Sequence, residues 1–183
     1  MFKIKNKKIS SLHDPYIIAE MSGNHNGSLE RALKIVDAAA EAGVDAIKLQ
    51  TYTADSLTLN SRKSAFKIKS KKSLWYGEYL YDLYSTGSTP WEWHKVIFQR
   101  AKEHNLDCFS SPFDLSAIEL LEDLNTPAYK IASAEITDVN LIKSIAVTGK
   151  PIIMSTGMAS INEIEEAVNT LVKNNCDNYA LLK

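Results

Sequence analysis

Seven side chains in this sequence have the types and spacing to act on a small anion: Glu20, Lys48, Gln50, Ser111, Lys130, Ser133 and Ser155. The three serines close the apolar runs Asp107-Cys-Phe-Ser-Ser111, Ala128-Tyr-Lys-Ile-Ala-Ser133 and Pro151-Ile-Ile-Met-Ser155, and successive ones lie 22 positions apart. Apolar runs joined by helical segments read as parallel strands, whose equivalent ends lie side by side. Three hydroxyls along one sheet edge, with a lysine in reach, make a donor set for a small phosphorylated ligand. Lys48 and Gln50 alternate through Lys48-Leu-Gln-Thr-Tyr52 and so point to one face. A lysine facing a barrel interior can clamp an anion or form a Schiff base, and Lys130 poses the same choice. Glu20 closes Pro15-Tyr-Ile-Ile-Ala-Glu20. It can move a proton or bind a sugar hydroxyl near the reacting carbons, or simply pair with Lys48 on the next strand.

Elements that position these groups follow from pattern. Strands are expected over Pro15–Met21, Asp45–Tyr52, Asp107–Pro112, Ala128–Ser133, Pro151–Gly157 and Tyr179–Lys183. Helices are expected after Ser28, Pro90 and Asp114, over Asp138–Val147 and over Ile161–Lys173. Five βα units and a terminal strand indicate a parallel sheet covered by helices. An open doubly wound sheet gathers its site at one switch point, and no G-x-G-x-x-G follows the first strand. Functional groups at consecutive strand ends favour a (β/α)8 TIM-barrel type, which runs to about 250 residues and eight strands. The 183 residues supply about six strands, so the expected fold is a barrel truncated there, with an exposed edge. Residues 1–14 read as a lead-in strand or hairpin and 15–183 as the partial barrel. Residues 53–90 form a long insertion without firm periodicity, the usual form of a lid or binding loop.

Other features exclude more than they assign. Net charge is −1, which gives no reason to expect nucleic acid or an anionic membrane as partner. Four lysines between Lys67 and Lys72 read as a solvated loop. There is no apolar stretch of membrane length and no secretory signal. Cys108 and Cys176 form no disulfide framework, so a reducing cytoplasm is the expected compartment. His25 is a lone metal candidate where a site needs about three protein ligands. Thr89-Pro-Trp-Glu-Trp-His94 reads as a helix start packed by two tryptophans on the barrel exterior; Trp91 or Tyr84 could instead shape a sugar pocket. Glu92 and His94 read as simple first-turn polar residues.

Ile18-Ala-Glu20 with Asn24-His-Asn-Gly27, Lys48-Leu-Gln50-Thr-Tyr, Phe109-Ser-Ser-Pro-Phe113-Asp114, Tyr129-Lys-Ile-Ala-Ser133 and Met154-Ser-Thr-Gly157 resemble the sialic acid synthase family. Leu80-Tyr-Asp-Leu-Tyr84 and Thr89-Pro-Trp-Glu-Trp-His94 look most like its pseudaminic acid synthase branch. The resemblance implies condensation of phosphoenolpyruvate with an open-chain N-acetylated hexose, of the 2,4-diacetamido-2,4,6-trideoxy type, to a nine-carbon sugar acid and phosphate. It also implies a divalent metal, manganese or magnesium, polarising the aldehyde. Lys48, Ser111, Lys130, Ser133 and Ser155 would hold phosphoenolpyruvate, Gln50 would contact the sugar, and Glu20 would sit by the reacting carbons. The lysines would then be anion clamps rather than Schiff bases. The resemblance further implies metal-binding histidines, an acidic sugar contact and an antifreeze-like domain reaching across a homodimer, all expected from segments beyond these 183 residues. The chain alone is therefore expected to bind phosphoenolpyruvate weakly or not at all and to show no turnover. N-acetylneuraminate or legionaminate synthesis, an inactive fragment of such an enzyme, and a class I aldolase are the alternatives.

Overall fold

The computed structural model describes residues 2–183. Two short strands, β1 (Phe2–Ile4) and β2 (Lys7–Ile9), pair antiparallel as a hairpin. Six more follow: β3 (Ile18–Glu20), β4 (Ala46–Thr51), β5 (Asp107–Pro112), β6 (Tyr129–Ile131), β7 (Ile152–Ser155) and β8 (Tyr179–Leu182). They form one sheet in sequence order with every pairing parallel. The helices are α1 (Leu29–Glu41), α2 (Ala54–Leu57), α3 (Leu80–Gly87), α4 (Trp91–Glu103), α5 (Leu115–Asp123), α6 (Val139–Ala146) and α7 (Ile161–Lys173). The sheet curls into a half-barrel of the (β/α)8 type, with β3 and β8 as its edges.

Local chemistry sets the crossovers. Ser28, Asp114 and Asp138 each accept the backbone N–H of the residue three positions on. Ser160 and Glu163 complete a capping box at the start of α7. After α1 the chain turns at Gly43, whose φ of +73° is a conformation glycine adopts without a Cβ penalty.

The strands have two differently used faces. Ile47 and Leu49 of β4 face outward and are fully buried with Ala32 and Val36 of α1 and Ile97 and Ala101 of α4. On the inner face, Ala46, Phe109, Ala128 and Ile153 pack with Ile4 of the hairpin, and Phe2, Ile9, Tyr16 and Ile18 lie against them. The hairpin therefore plugs the N-terminal end of the half-barrel. Lys5 pairs with Asp107 and Lys7 with Asp45, while Asn178 before β8 exchanges two hydrogen bonds with the backbone of Lys3. These contacts tie β4 and β5 to the far side of the sheet. No apolar periodicity announces this role, because only Ile4 is buried, Phe2 and Ile9 are half-buried, and the other residues between them are exposed.

The insertion is more ordered than its sequence predicts. It contains α2, a 3-10 turn at Ser64–Phe66 and α3. Thr53 and Ser56 form a capping box that nucleates α2. Val96 of α4 is exposed, and His94 takes a buried place on the same helix. Trp93 is half-buried against the outer core, packed on the barrel exterior as the helix-start reading has it.

Candidate active site

Register sets the layers of the inner face. Glu20, Lys48 and Phe109 are neighbours across β3, β4 and β5, and Gln50 pairs with Ser111 one layer higher. Ser110 pairs with Tyr129, which carries on to set Ser111 beside Lys130; Lys130 in turn pairs with Ile153 on β7. Glu20, Lys48, Gln50, Ser111 and Lys130 thus share one face above the apolar plug. Lys48 is 5% exposed, and its Nζ lies 2.8 Å from a Glu20 oxygen. Glu20 thus pairs with Lys48, and its own side chain stays open to solvent at the strand end.

Lys130 is the more constrained lysine. It is 9% exposed, and Nζ donates to the Ser155 hydroxyl at 2.6 Å and the Ile131 carbonyl at 2.9 Å. Burial, and after it the Lys48 charge, bring its pKa down to about 8, against the opposing pull of Glu20 and Glu135. Among the described residues no carboxylate stands at ion-pair distance from it.

The serine row is staggered rather than level. Ser155 ends β7, but Ser111 lies inside β5, and Ser133 lies two residues beyond β6 in a 3-10 turn over Ser133–Glu135. The 22-residue spacing is therefore not a strand-end register. Ser111 is buried and Ser133 exposed. Ser133 lies instead against the loop after β7. A Cβ added at Gly157 would overlap the Ser133 side chain and come within 2.8 Å of its Oγ.

Two histidines frame the strand ends. His25 is fully buried, accepts the Gly27 N–H at Nδ1 and donates from Nε2 to the Thr89 hydroxyl, and burial lowers its pKa. It ties the loop after β3 to the end of the insertion. His94 is also fully buried, where first-turn solvation was expected. Its Nδ1–H donates to the Pro90 carbonyl, so Nε2 accepts the Thr51 hydroxyl at 2.9 Å, and Thr51 accepts from Ser110 at 2.6 Å. Burial again favours the neutral ring. Thr51→Val keeps the shape and removes the middle of this chain. It should lower stability by about 1–3 kcal/mol, measured by urea unfolding.

One group escaped sequence reasoning. Glu135, at the end of the 3-10 turn, has a buried carboxylate oxygen without a hydrogen-bond partner. Burial raises its pKa, opposed by its own backbone N–H and the Lys130 charge. Its only signal in the sequence is its position two residues after Ser133. Among the described residues no three His, Cys, Asp or Glu groups cluster to hold a metal ion. The ring nitrogens of His25 and His94 are already engaged. The donor set of residues 2–183 therefore does not fit a divalent ion.

Residues 35–183 match the NeuB family. The chain is 47% identical over 172 residues to pseudaminic acid synthase of Helicobacter pylori, covering 94% of this chain and 50% of that protein. It is 53% identical over 149 residues to pseudaminic acid synthase of Campylobacter jejuni, covering 81% of this chain and 43% of that one. A crystal structure of N-acetylneuraminic acid (sialic acid) synthetase from Leptospira borgpetersenii, in complex with citrate, superposes with a TM-score of 0.84 at 28% identity. That match covers 98% of this chain and 57% of the other. The chain spans about half the length of the curated relatives it matches. An inner face with two buried lysines above a plugged half-barrel thus sits in a sequence whose match runs from the middle of α1 to the last residue, and the chain belongs to the NeuB family.

Proposed function

We propose that this chain carries the phosphoenolpyruvate site of a synthase that condenses phosphoenolpyruvate with a 2,4-diacetamido-2,4,6-trideoxy hexose, giving pseudaminic acid and phosphate. One observation supports this most: Lys130 is a buried cation with hydroxyl and carbonyl partners but no carboxylate beside it. A buried charge without a counter-charge is costly unless an anion arrives. Lys48, half-neutralised by Glu20, supplies a second positive group nearby. Two cations and the hydroxyls of Ser111, Ser133 and Ser155 suit one phosphate and one carboxylate. Gln50, half-buried beside Ser111, would contact the sugar.

In this reaction C3 of phosphoenolpyruvate attacks the aldehyde carbon, and the aldehyde oxygen takes up a proton. Water adds at C2, and the C2–O bond breaks to release phosphate and leave a 2-oxo acid. Lys130, Ser155 and Lys48 hold the anion in line. Glu20, solvent-open at the strand end, positions or exchanges a proton near the reacting carbons. Glu135, with its raised pKa and free oxygen, is a second carboxylate suited to proton transfer. No step here runs through a metal. A homodimeric whole protein, assistance by manganese or magnesium and a cytoplasmic setting belong to the same proposal. No helix in the described residues is long and apolar enough to cross a membrane.

Titration of the chain with phosphoenolpyruvate, followed by phosphorus NMR, tests this reading. Millimolar binding with no borohydride-stable pyruvate adduct on Lys48 or Lys130 is the expected result. Phosphate release with the trideoxy hexose by this chain alone should stay at background. No binding at all would sink the anion-site reading, and a trapped lysine would replace it with Schiff-base chemistry.

A further inference from the structure

The rim above this site is aromatic, and the register explains why. Tyr52 and Phe113 lie two residues beyond the paired Gln50 and Ser111, so they continue the same inner face upward. Their rings meet edge to face with centroids 5.5 Å apart. Tyr84 of α3 meets Tyr52 the same way at 6.3 Å. Tyr52 is buried, while Phe113 and Tyr84 each leave part of the ring exposed.

The insertion is fixed against this rim. A Cβ on Gly87, at the end of α3, would lie 3.2 Å from the Tyr52 hydroxyl, and one on Gly23 would lie 3.1 Å from the Gly87 carbonyl. The Tyr52 hydroxyl therefore turns toward α3 and not into the mouth. Asp82 of α3 pairs with Arg62, and Tyr81 donates to Asp55 of α2, which anchors the helix from its other sides.

The geometry points to Tyr52, Phe113 and Tyr84 as the wall that selects a deoxygenated, methyl-bearing hexose at the mouth. This rests on the condensation proposed above and names which side chains discriminate among its sugars. A trideoxy diacetamido hexose offers a C6 methyl and two acetamido methyls, which pack well on ring faces and edges. N-acetylmannosamine offers hydroxyls at C4 and C6. Pressed on these rings, those hydroxyls lose water without gaining a partner. An apolar wall rejects an added hydroxyl only modestly, by about 10- to 100-fold.

Saturation-transfer NMR on the 183-residue chain with phosphoenolpyruvate present tests the wall. The C6 and acetamido methyls of the trideoxy sugar should receive the strongest saturation, and N-acetylmannosamine should compete at least about tenfold more weakly. Tyr84→Ala should bring that preference close to unity, and Tyr84→Phe should keep it. Phe113→Leu gives an independent variant if Tyr84→Ala loses its circular dichroism. Phosphoenolpyruvate binding should be unchanged in all three. Equal competition by the two sugars on the unaltered chain, or a preference that survives both Tyr84→Ala and Phe113→Leu, overturns the wall. Failure of the unaltered chain to bind phosphoenolpyruvate sinks the parent reading instead.

Discussion

Lys130→Met should abolish measurable phosphoenolpyruvate binding and at the same time raise the melting temperature. Both effects come from one buried ammonium. Its bonds to Ser155 and the Ile131 carbonyl fix it without neutralising it. In the complex it would make at least one charge-assisted bond to the ligand, which typically contributes about 1.5–3 kcal/mol, and the neighbouring hydroxyls would lose their anchor. A loss of about 100-fold takes a millimolar site out of range. Replacing buried ionic groups by well-packed apolar chains of similar volume is often neutral or stabilising, by about 1–4 kcal/mol where it stabilises. For a chain of this size that corresponds to a rise of roughly 2–16 °C. The pH dependence has a defined sign. The folded value is about 8 against an ordinary 10.5. Between these values the unfolded chain binds the proton that the folded chain releases, so stability attributable to Lys130 rises with pH across that window. Ligand affinity falls over the same window, because the anion needs the protonated amine. Thermal melts and phosphorus titrations from pH 7 to 10 would show the two trends crossing, and Lys130→Met should remove both. A variant that melts lower and still binds would show that Lys130 is a structural group.

Much of this was legible before any coordinates. Short runs bounded by turn residues mark β4 and β5, both buried along nearly their whole length, and Ser28, Asp114 and Asp138 mark helix starts through local bonds. Glu20, Lys48 and Gln50 could be placed because strand alternation is strictly local. What was not legible depends on register between strands. The equal spacing of the serines mimicked a level row, whereas the stagger between β5 and β6 sets Ser111 beside Lys130 and leaves Ser133 to the turn beyond. His94 looked like a solvated first-turn residue because its partner Thr51 is 43 positions away. Glu135 drew no notice, since nothing in the sequence says that the turn after Ser133 folds a carboxylate inward. The aromatic rim needed both the register and the path of α3. The hairpin plug is a tertiary solution to an end of the sheet that the strands themselves leave open.

Gly157→Ala should be the most damaging single-methyl change on the ligand side of the sheet. Two independent costs meet there. The residue has φ +43°, where an L side chain carries a penalty of about 1–2 kcal/mol. The new methyl would also occupy the place of the Ser133 side chain, so that the 3-10 turn must move. Overpacking of this kind adds about 1–3 kcal/mol, for a combined loss of roughly 2–5 kcal/mol. Gly43→Ala is the matched control. Its φ of +73° carries the same backbone penalty, and nothing lies within 4 Å of the added carbon. It should cost only about 1–2 kcal/mol and leave phosphoenolpyruvate binding intact. The difference between the two variants isolates the contact with Ser133. Because the same turn carries Glu135, whose charge acts on Lys130, its displacement should also weaken ligand binding. Urea unfolding and phosphorus titration on both variants measure the two effects. Equal destabilisation at Gly43 and Gly157, with binding unchanged in each, would mean that the turn after β6 takes no part in the anion site.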